Sequence, residues 1–590
     1  VRQDRRWRPA EPPRPRNPRR RLRISLVALA VLLSLFVGRL VQLQGVDAAA
    51  YDSSADRNRN QKVELLATRG DITDADGDPL AVSVDAFDIT ADPTQVKRPD
   101  ATAAALAPLL GVAQDRLRTL LSTQNTRYVL LATQVTPQVW QEIKRRQGGA
   151  DGGTYAGIYD VPHAKRVYPD SDLAANVVGF VNSSGRGAGG LEYALNSVLA
   201  GHNGSMSFQA VGGQEIATAG VSEQAPVPGR GARLTLDRDI QWVAQQAISQ
   251  QVRAAGASSG TVVVEDAHTG KILALATAPG FDPNALSQAN PENLGNRALS
   301  DVYEPGSVSK VMTMAAAIQE GVAAPDTHVT VPGTLTRAHR VFHDDVDHGT
   351  WRLTLTGVLA RSSNIGTMLT AERLGSDRLY SYLKKFGIGD PTGLNFPGES
   401  PGILRPPGTW SDSQRYTIPF GQGLSLNAVQ ATSVFATIAN HGVRVEPSLV
   451  DGYQNADGSF TPAPPPSQTQ VVSARTARQV SDMMESVVSD EGTAPMAQIP
   501  GYRVAGKTGT ANRVDPTCGC YRGYTASFIG FAPADQGSLV VSVTIQNPTG
   551  ASHFGGVLGG PVFKKVMSFA LQTLHIPPTG TKPPNLPVQW

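Results

Sequence analysis

Glu304-Pro305-Gly306-Ser307-Val308-Ser309-Lys310 is the stretch on which the fold turns. Pro305-Gly306 makes a turn, and an apolar stripe of helical spacing follows at once: Val308, Val311, Met312, Ala315. Ser307 is therefore expected in a helix's first turn, where backbone amides supply positive potential. Lys310, one turn on, lies on the adjoining face. A hydroxyl and an amine so placed can exchange a proton once the lysine is neutral. That requires its pKa to fall by roughly 3 units, about 4 kcal/mol, through burial and a second nearby cation. Alone, Ser-x-x-Lys is a common chance pattern, and an N-cap serine with a solvated lysine explains it better.

Two further patterns change that balance. Arg361-Ser362-Ser363-Asn364 follows a helical segment and contains Ser-x-Asn. Lys507-Thr508-Gly509-Thr510 follows the strand-like Tyr502-Arg503-Val504, and strand alternation puts Thr508 and Thr510 on one face. Gly509 is expected to leave room for a ligand's backbone beside the edge. The order Ser-x-x-Lys, Ser-x-Asn, Lys-Thr-Gly is that of penicillin-binding proteins and class A β-lactamases.

From the anchor to about residue 575 the chain resembles the class B penicillin-binding proteins. Arg69-Gly70-x-Ile72-x-Asp74-x-x-Gly77-x-x-Leu80-Ala81 is similar to the family's first non-catalytic box, and Arg166-x-Tyr168-Pro169 and Gly190-Leu191-Glu192 to later ones. Asn296-Arg297-Ala298 and Gly421-Gln422-Gly423 also match, and Ser362-Ser363-Asn364 suits this family better than the β-lactamase form. Ser309 departs from it, since a bulkier residue is commoner there. The sequence around Cys518-Gly519-Cys520-Tyr521 is similar to actinobacterial members.

The resemblance implies an α/β (α+β) transpeptidase fold with a mainly antiparallel sheet between helices, and a peptidoglycan stem peptide ending in D-Ala-D-Ala as substrate. Ser307 is the implied nucleophile and Lys310 its base, with Ser362 as proton relay, Asn364 orienting and Lys507 tuning the field. Thr508, Gly509 and Thr510 are the implied substrate-binding residues, and the amides of Ser307 and Thr510 the oxyanion donors. β-Lactams would trap the same serine; no metal or organic cofactor is implied. Implied partners are a SEDS-type lipid II polymerase and other divisome membrane proteins, with a division role favoured over elongation by the long basic tail. The alternatives are a hydrolase, which lacks a Glu-x-x-Leu-Asn box here, a bifunctional enzyme, a sensor, and a non-catalytic divisome scaffold, which three intact motifs oppose.

Outward from these motifs, a chain of 590 residues is expected to hold several domains. Net charge is only +3, giving no global nucleic-acid reading, and ten of the arginines crowd the first 23 residues. Residues 1–21 are expected to be a disordered basic Pro-rich tail. Leu22–Leu43 is long enough for one transmembrane helix, with Arg39 snorkelling at its far edge. The flanking arginines predict a cytoplasmic N-terminus and an extracytoplasmic remainder; a cleavable signal peptide ending at Ala48-Ala49-Ala50 is the alternative. Residues 44–225 then form a mixed α+β pedestal (dimerisation) domain and 226–575 the catalytic domain, split at Ala225–Gly231 and followed by a Pro-rich tail, 576–590. Within the catalytic domain a helix is expected at 236–252, strands at 261–265, 272–276 and 539–545, a Pro-rich loop at 461–467 and a final helix at 562–574.

Several other patterns carry less. Cys518 and Cys520 are the only cysteines, either bridged or free, and two thiols make no zinc site. Gly501–Thr508 fits a phosphate-loop formula but is followed by poor helix starters, Gly185–Gly190 is a lone GxGxxG without a βαβ unit, and Arg69-Gly70-Asp71 is only a tripeptide. His339, His343 and His348 with Asp344, Asp345 and Asp347 lack zinc-protease spacing and read as a solvated loop.

Overall fold

Pro18, whose missing N–H costs nothing at a helix start, opens the 24-residue helix Pro18–Val41, which a π-turn, Gln42–Val46, continues. At 1.5 Å per residue the helix is about 36 Å long, and it is long and apolar enough to cross a membrane. Arg19, Arg20 and Arg21, expected in the unstructured tail, instead form its first turn. The computed structural model describes residues 18–46, 60–149, 152–211, 214–215, 222–515 and 517–590. The arginines before Pro18 and the alternative cleavage site at Ala48–Ala50 lie outside the described residues.

The chain divides into two compact units, Val1–Leu65 with Asn203–Pro226, and Leu66–His202 with Val227–Trp590. In the first, Gly204–Val211 pairs antiparallel with Asn60–Leu65 and with Ser222–Gln224. In the second, Phe87–Ala91 lies between Val129–Val135 and Ile158–Pro162. Helices close that small sheet over a core of Ile89, Leu106, Leu117, Trp140 and Ile143.

The family boxes meet in a buried ionic knot. Glu192 is 0% exposed and accepts hydrogen bonds from Arg69 Nε at 2.6 Å and Arg166 Nε at 2.7 Å. Arg69 also reaches Asn196 Oδ1 and the Glu192 carbonyl. Removing the carboxylate would leave two buried guanidiniums facing each other, a loss of about 3–5 kcal/mol for a broken buried pair. Glu192→Ala is thus expected to lower the denaturant midpoint sharply and Glu192→Gln to lower it less; an unchanged midpoint for both would refute the knot's importance.

The catalytic region is built on a five-stranded antiparallel sheet: β1 Ser259–Asp266, β2 Ile272–Ala278, β3 Ala505–Asp515, β4 Cys520–Ala532 and β5 Leu539–Gln546, in spatial order β2-β1-β5-β4-β3. Its helices include α1 Arg238–Ala254, α2 Lys310–Gln319, α3 Leu355–Ala360, α4 Asn364–Leu374, α5 Ala428–Ala439, α6 Ala474–Val488 and α7 Gly555–Thr573. Ile240, Ala244 and Ile248 of α1 and Phe563 of α7 pack with Phe528 in one core cluster. Val311 of α2, Phe435 of α5 and Val480 of α6 pack with Ile529 and Phe531 in another. Successive strand side chains point to opposite faces, so Phe528 and Ile529 put helices on both sides of the sheet, as expected.

Several boundaries differ from expectation. α1 starts at Arg238 because Asp237 caps it, accepting from Ile240 N at 2.9 Å. α7 starts at Gly555 rather than Val562; its glycine-rich first turns and Pro561 carry weak helix propensity. Thr461 and Pro462, expected in a loop, belong to the short strand Phe460–Pro462, which pairs with Val450–Gln454. Cys518 and Cys520 form a disulfide near the tip of the β3–β4 hairpin.

Candidate active site

Three short elements aim the motif residues at one point. A 3-10 turn, Gly306–Ser309, leads into α2, with Gly306 N held by Gly421 O at 3.0 Å. Ser307 is 7% exposed, and its hydroxyl makes no hydrogen bond among the described residues. Ser309 is buried with its hydroxyl unpartnered, so the departure from a bulkier residue leaves a polar atom in the core. α3 ends at Ala360, and Ser362, two residues on, has a φ of +57°, costly for a non-glycine residue at about 1–3 kcal/mol. Ser363 caps α4, its Oγ accepting from Gly366 N at 2.9 Å. The paired serines therefore divide: Ser362 faces the lysines, and Ser363 starts the helix.

Lys310 and Lys507, both 0% exposed, converge on Ser362. Lys310 Nζ donates to the Ser362 carbonyl, to Ser362 Oγ at 3.3 Å and to Asn364 Oδ1 at 2.8 Å. Lys507 Nζ donates to the same Oγ at 2.8 Å. The sequence put the Lys310 amine next to Ser307, but here its hydrogen bonds go to Ser362 and Asn364. Burial pushes Lys310 down to about 8 against the pull of Asp345 and Asp344. Burial pushes Lys507 well below its ordinary value, and the charge of Lys310 adds to it. Burial is thus the main cause, and the two aspartates work against it on Lys310.

The solvated-loop reading of the His/Asp cluster holds for His339, His343, Asp345 and Asp347, which are exposed, and is corrected for Asp344 and His348, whose side chains are buried. Asp344 is 4% exposed and accepts from Ser363 Oγ at 2.6 Å and from Ile365 N at 2.9 Å. His348 Nε2 lies 3.1 Å from it and its ring stacks on Trp351. Asn364 Nδ2 reaches His343 O at 3.4 Å and Asp345 Oδ1 at 3.5 Å. The hairpin Thr334–Arg337/Arg340–His343 carries this loop onto the Ser-x-Asn motif. No local spacing signals that contact.

Lys507–Thr510 sit on the edge strand β3, which begins at Ala505; Tyr502–Val504, expected to be strand, are not. Thr508 Oγ1 lies 3.0 Å from Thr493 Oγ1, and Thr510 Oγ1 accepts from Gly555 N at 3.3 Å. Gly509 is not explained by room for a ligand. A Cβ there would fall 2.3 Å from Ser527 Oγ and 3.0 Å from Pro305 O, so the glycine lets the Ser307 turn lie against the sheet. Glu304, just before that turn, accepts from Gly423 N at 2.9 Å and Tyr521 OH at 3.0 Å, and burial raises its pKa. Glu304, Arg297, Asn512 and Arg513 line a cavity of about 600 Å³ that none of Ser307, Lys310, Ser362 or Lys507 borders. The convergent hydrogen bonds locate the candidate site, and the described residues form no metal-binding cluster.

An antiparallel sheet between helices, with a serine, two buried lysines and a Ser-x-Asn turn beside its edge strand, is the arrangement of a serine-type penicillin-interacting acyl-transferase. The chain belongs to the penicillin-binding protein transpeptidases: the family model for the penicillin binding protein transpeptidase domain matches residues 260–568, and that for the penicillin-binding protein dimerisation domain matches residues 64–234. It is 35% identical to penicillin-binding protein PbpB of Mycobacterium tuberculosis, over 96% of this chain and 87% of that protein. It is 32% identical to peptidoglycan D,D-transpeptidase FtsI of Escherichia coli K12, over 94% and 92%. A crystal structure of penicillin binding protein 3 of Mycobacterium tuberculosis, complexed with aztreonam, is similar at TM-score 0.69 and 33% identity, covering 90% of this chain and 100% of that one.

Proposed function

We propose that the protein cross-links peptidoglycan stem peptides through an acyl-enzyme on Ser307, in septal wall synthesis during division. The observation that carries the chemistry is the convergence of Lys310, Asn364 and Lys507 around Ser362. Ser307 Oγ attacks the penultimate D-Ala carbonyl and neutral Lys310 takes its proton. The amides of Ser307 and Thr510 hold the oxyanion, a contribution of about 3 kcal/mol per donor. Ser362, between the two lysines, relays the proton to the departing D-Ala amine. Thr508 and Thr510 receive the substrate's carboxylate. An amine from a neighbouring stem then attacks the ester, forming the new amide and releasing Ser307. A β-lactam opens on the same serine.

Because Lys310 accepts a proton only when neutral, acylation is expected to fall as pH drops through about 8. Asp345→Asn removes an attraction that raises Lys310, so the acid limb should move to lower pH. Second-order acylation constants across the neutral and alkaline range test this; a limb that stays in place would remove Asp345 from the proton-transfer network.

Incubating the protein with a D-Ala-D-Ala pentapeptide and an amine acceptor should yield released D-Ala matched by transfer product, both stopped by penicillin. Release without transfer would instead identify a carboxypeptidase. The flanking arginines support a cytoplasmic N-terminus with the catalytic unit outside, and the anchor suits partnership with a SEDS-type lipid II polymerase and other divisome membrane proteins. The basic Pro-rich N-terminal segment is what favours division. Depletion should give filaments or branched cells lacking septa, and rounded cells with normal septa would move the protein to elongation.

A further inference from the structure

We propose that residues Pro587–Trp590 act as a strap that positions Ser362, by pinning the start of α3; the proposal rests on the Ser362 role given above. The sequence sets 576–590 apart as a Pro-rich tail. The structure instead lays it along the catalytic region. Ile576 O accepts from Tyr502 OH at 2.7 Å and Thr581 Oγ1 accepts from Arg503 Nη1 at 3.1 Å. Leu586 packs against the core that holds α2. Pro587 O then accepts from Thr354 Oγ1 at 2.5 Å and Val588 O from Thr354 N at 3.1 Å. Gln589 bridges Leu353 antiparallel, and Trp590 N donates to Arg352 O at 3.2 Å. The strap thereby runs beside the outer edge of the pair His328–Val331/Trp351–Thr354, joined to it by a single bridge. The Trp590 indole stacks on His328 at 4.3 Å, with the Arg352 guanidinium 5.5 Å from its ring.

Thr354 joins the strap to the motif. It is the N-cap of α3, its Oγ1 also accepting from Gly357 N at 3.0 Å. α3 has six residues, too few to be stable alone, so its ends must be held from outside. Its C-terminal end carries the site: Ser362 N donates to Leu359 O at 3.1 Å and Ser363 N to Val358 O at 2.9 Å. The Ser362 carbonyl in turn accepts from Lys310. Gly357 gives independent support. Glycine inside a helix costs about 0.5–1 kcal/mol relative to alanine, yet a Cβ here would sit 1.9 Å from Val588 O. The residue is what lets the strap pass.

The test uses the full chain, a chain ending at Leu586, and Gly357→Ala in each, labelled with fluorescent penicillin. Loss of the strap should slow acylation by ~10–100-fold, the scale of a sub-ångström misplacement, in the bond-forming step more than in affinity. The acid limb should also move, because Lys310, faced by Lys507, Asp344 and Asp345, loses a fixed acceptor. Gly357→Ala should reproduce the defect in the full chain and add nothing to the shortened one. The peptide Asn-Leu-Pro-Val-Gln-Trp, added in trans, should restore labelling saturably. A shortened chain that labels at the normal rate overturns the proposal. So does one whose folded fraction keeps the normal rate and acid limb. No labelling of the unaltered chain would instead remove the Ser307 reading beneath it.

Discussion

Ser307→Ala is expected to abolish covalent labelling by fluorescent penicillin and transfer from a D-Ala-D-Ala donor, with little change in melting temperature. Losing a nucleophile costs on the order of 10⁶ in turnover, which takes the signal below detection. No neighbouring hydroxyl is placed to substitute. Ser362 Oγ is engaged by both lysines, Ser363 Oγ by Asp344, and Ser309 is 1% exposed in the core. The substitution should spare the fold because the Ser307 hydroxyl holds nothing together. An alanine variant that still labels would mean another residue carries the acyl group, and that result would falsify the central assignment. Equal thermal stability of the two proteins is the control that makes the loss chemical rather than structural.

How much of this was legible before the structure depended on how local each signal was. The three motifs stand in runs of four residues, and the first and last follow from spacing on one helix turn or one strand. The β-branched run at 539–545 and the turn between 265 and 272 likewise announce the antiparallel sheet. What stayed hidden depends on segments far apart in the chain. Gly509 looks like room for a ligand until Pro305 O and Ser527 Oγ are seen on either side of it. The glycine-rich start of α7 has no apolar period to read. The pairing of Cys518 with Cys520 could not be chosen from spacing alone. Residues 576–590 look like a free tail because proline-rich composition describes stiffness, not whether a docking surface awaits it. The burial of Asp344 is masked by its neighbours, since clustered histidines and aspartates read as solvent-facing, as Asp345 is.

Asp344→Ala should be among the most damaging substitutions remote from Ser307. Its buried carboxylate joins two elements that meet only in the folded chain, the loop after Arg340–His343 and the start of α4. One oxygen accepts from Ile365 N at 2.9 Å, the other from Ser363 Oγ at 2.6 Å. A negative charge at that helix end is also favoured by the helix dipole. Without it, a buried amide and a buried hydroxyl lose their acceptor, at about 1–3 kcal/mol each. Ser363 would then turn or shift, taking Asn364 and the Ser362 backbone with it. A displacement of about 1 Å at those groups is enough for a ~100-fold loss in acylation rate. Asp344→Asn keeps one acceptor oxygen and should fall between alanine and wild type in both stability and rate. The removal of an attractive charge also lowers Lys310, so the surviving activity should show its acid limb at lower pH, as for Asp345→Asn, but on a less stable protein. Urea unfolding read beside the acylation constant separates the two effects. A variant that keeps both its midpoint and its rate would return this aspartate to the solvated loop that its sequence suggests.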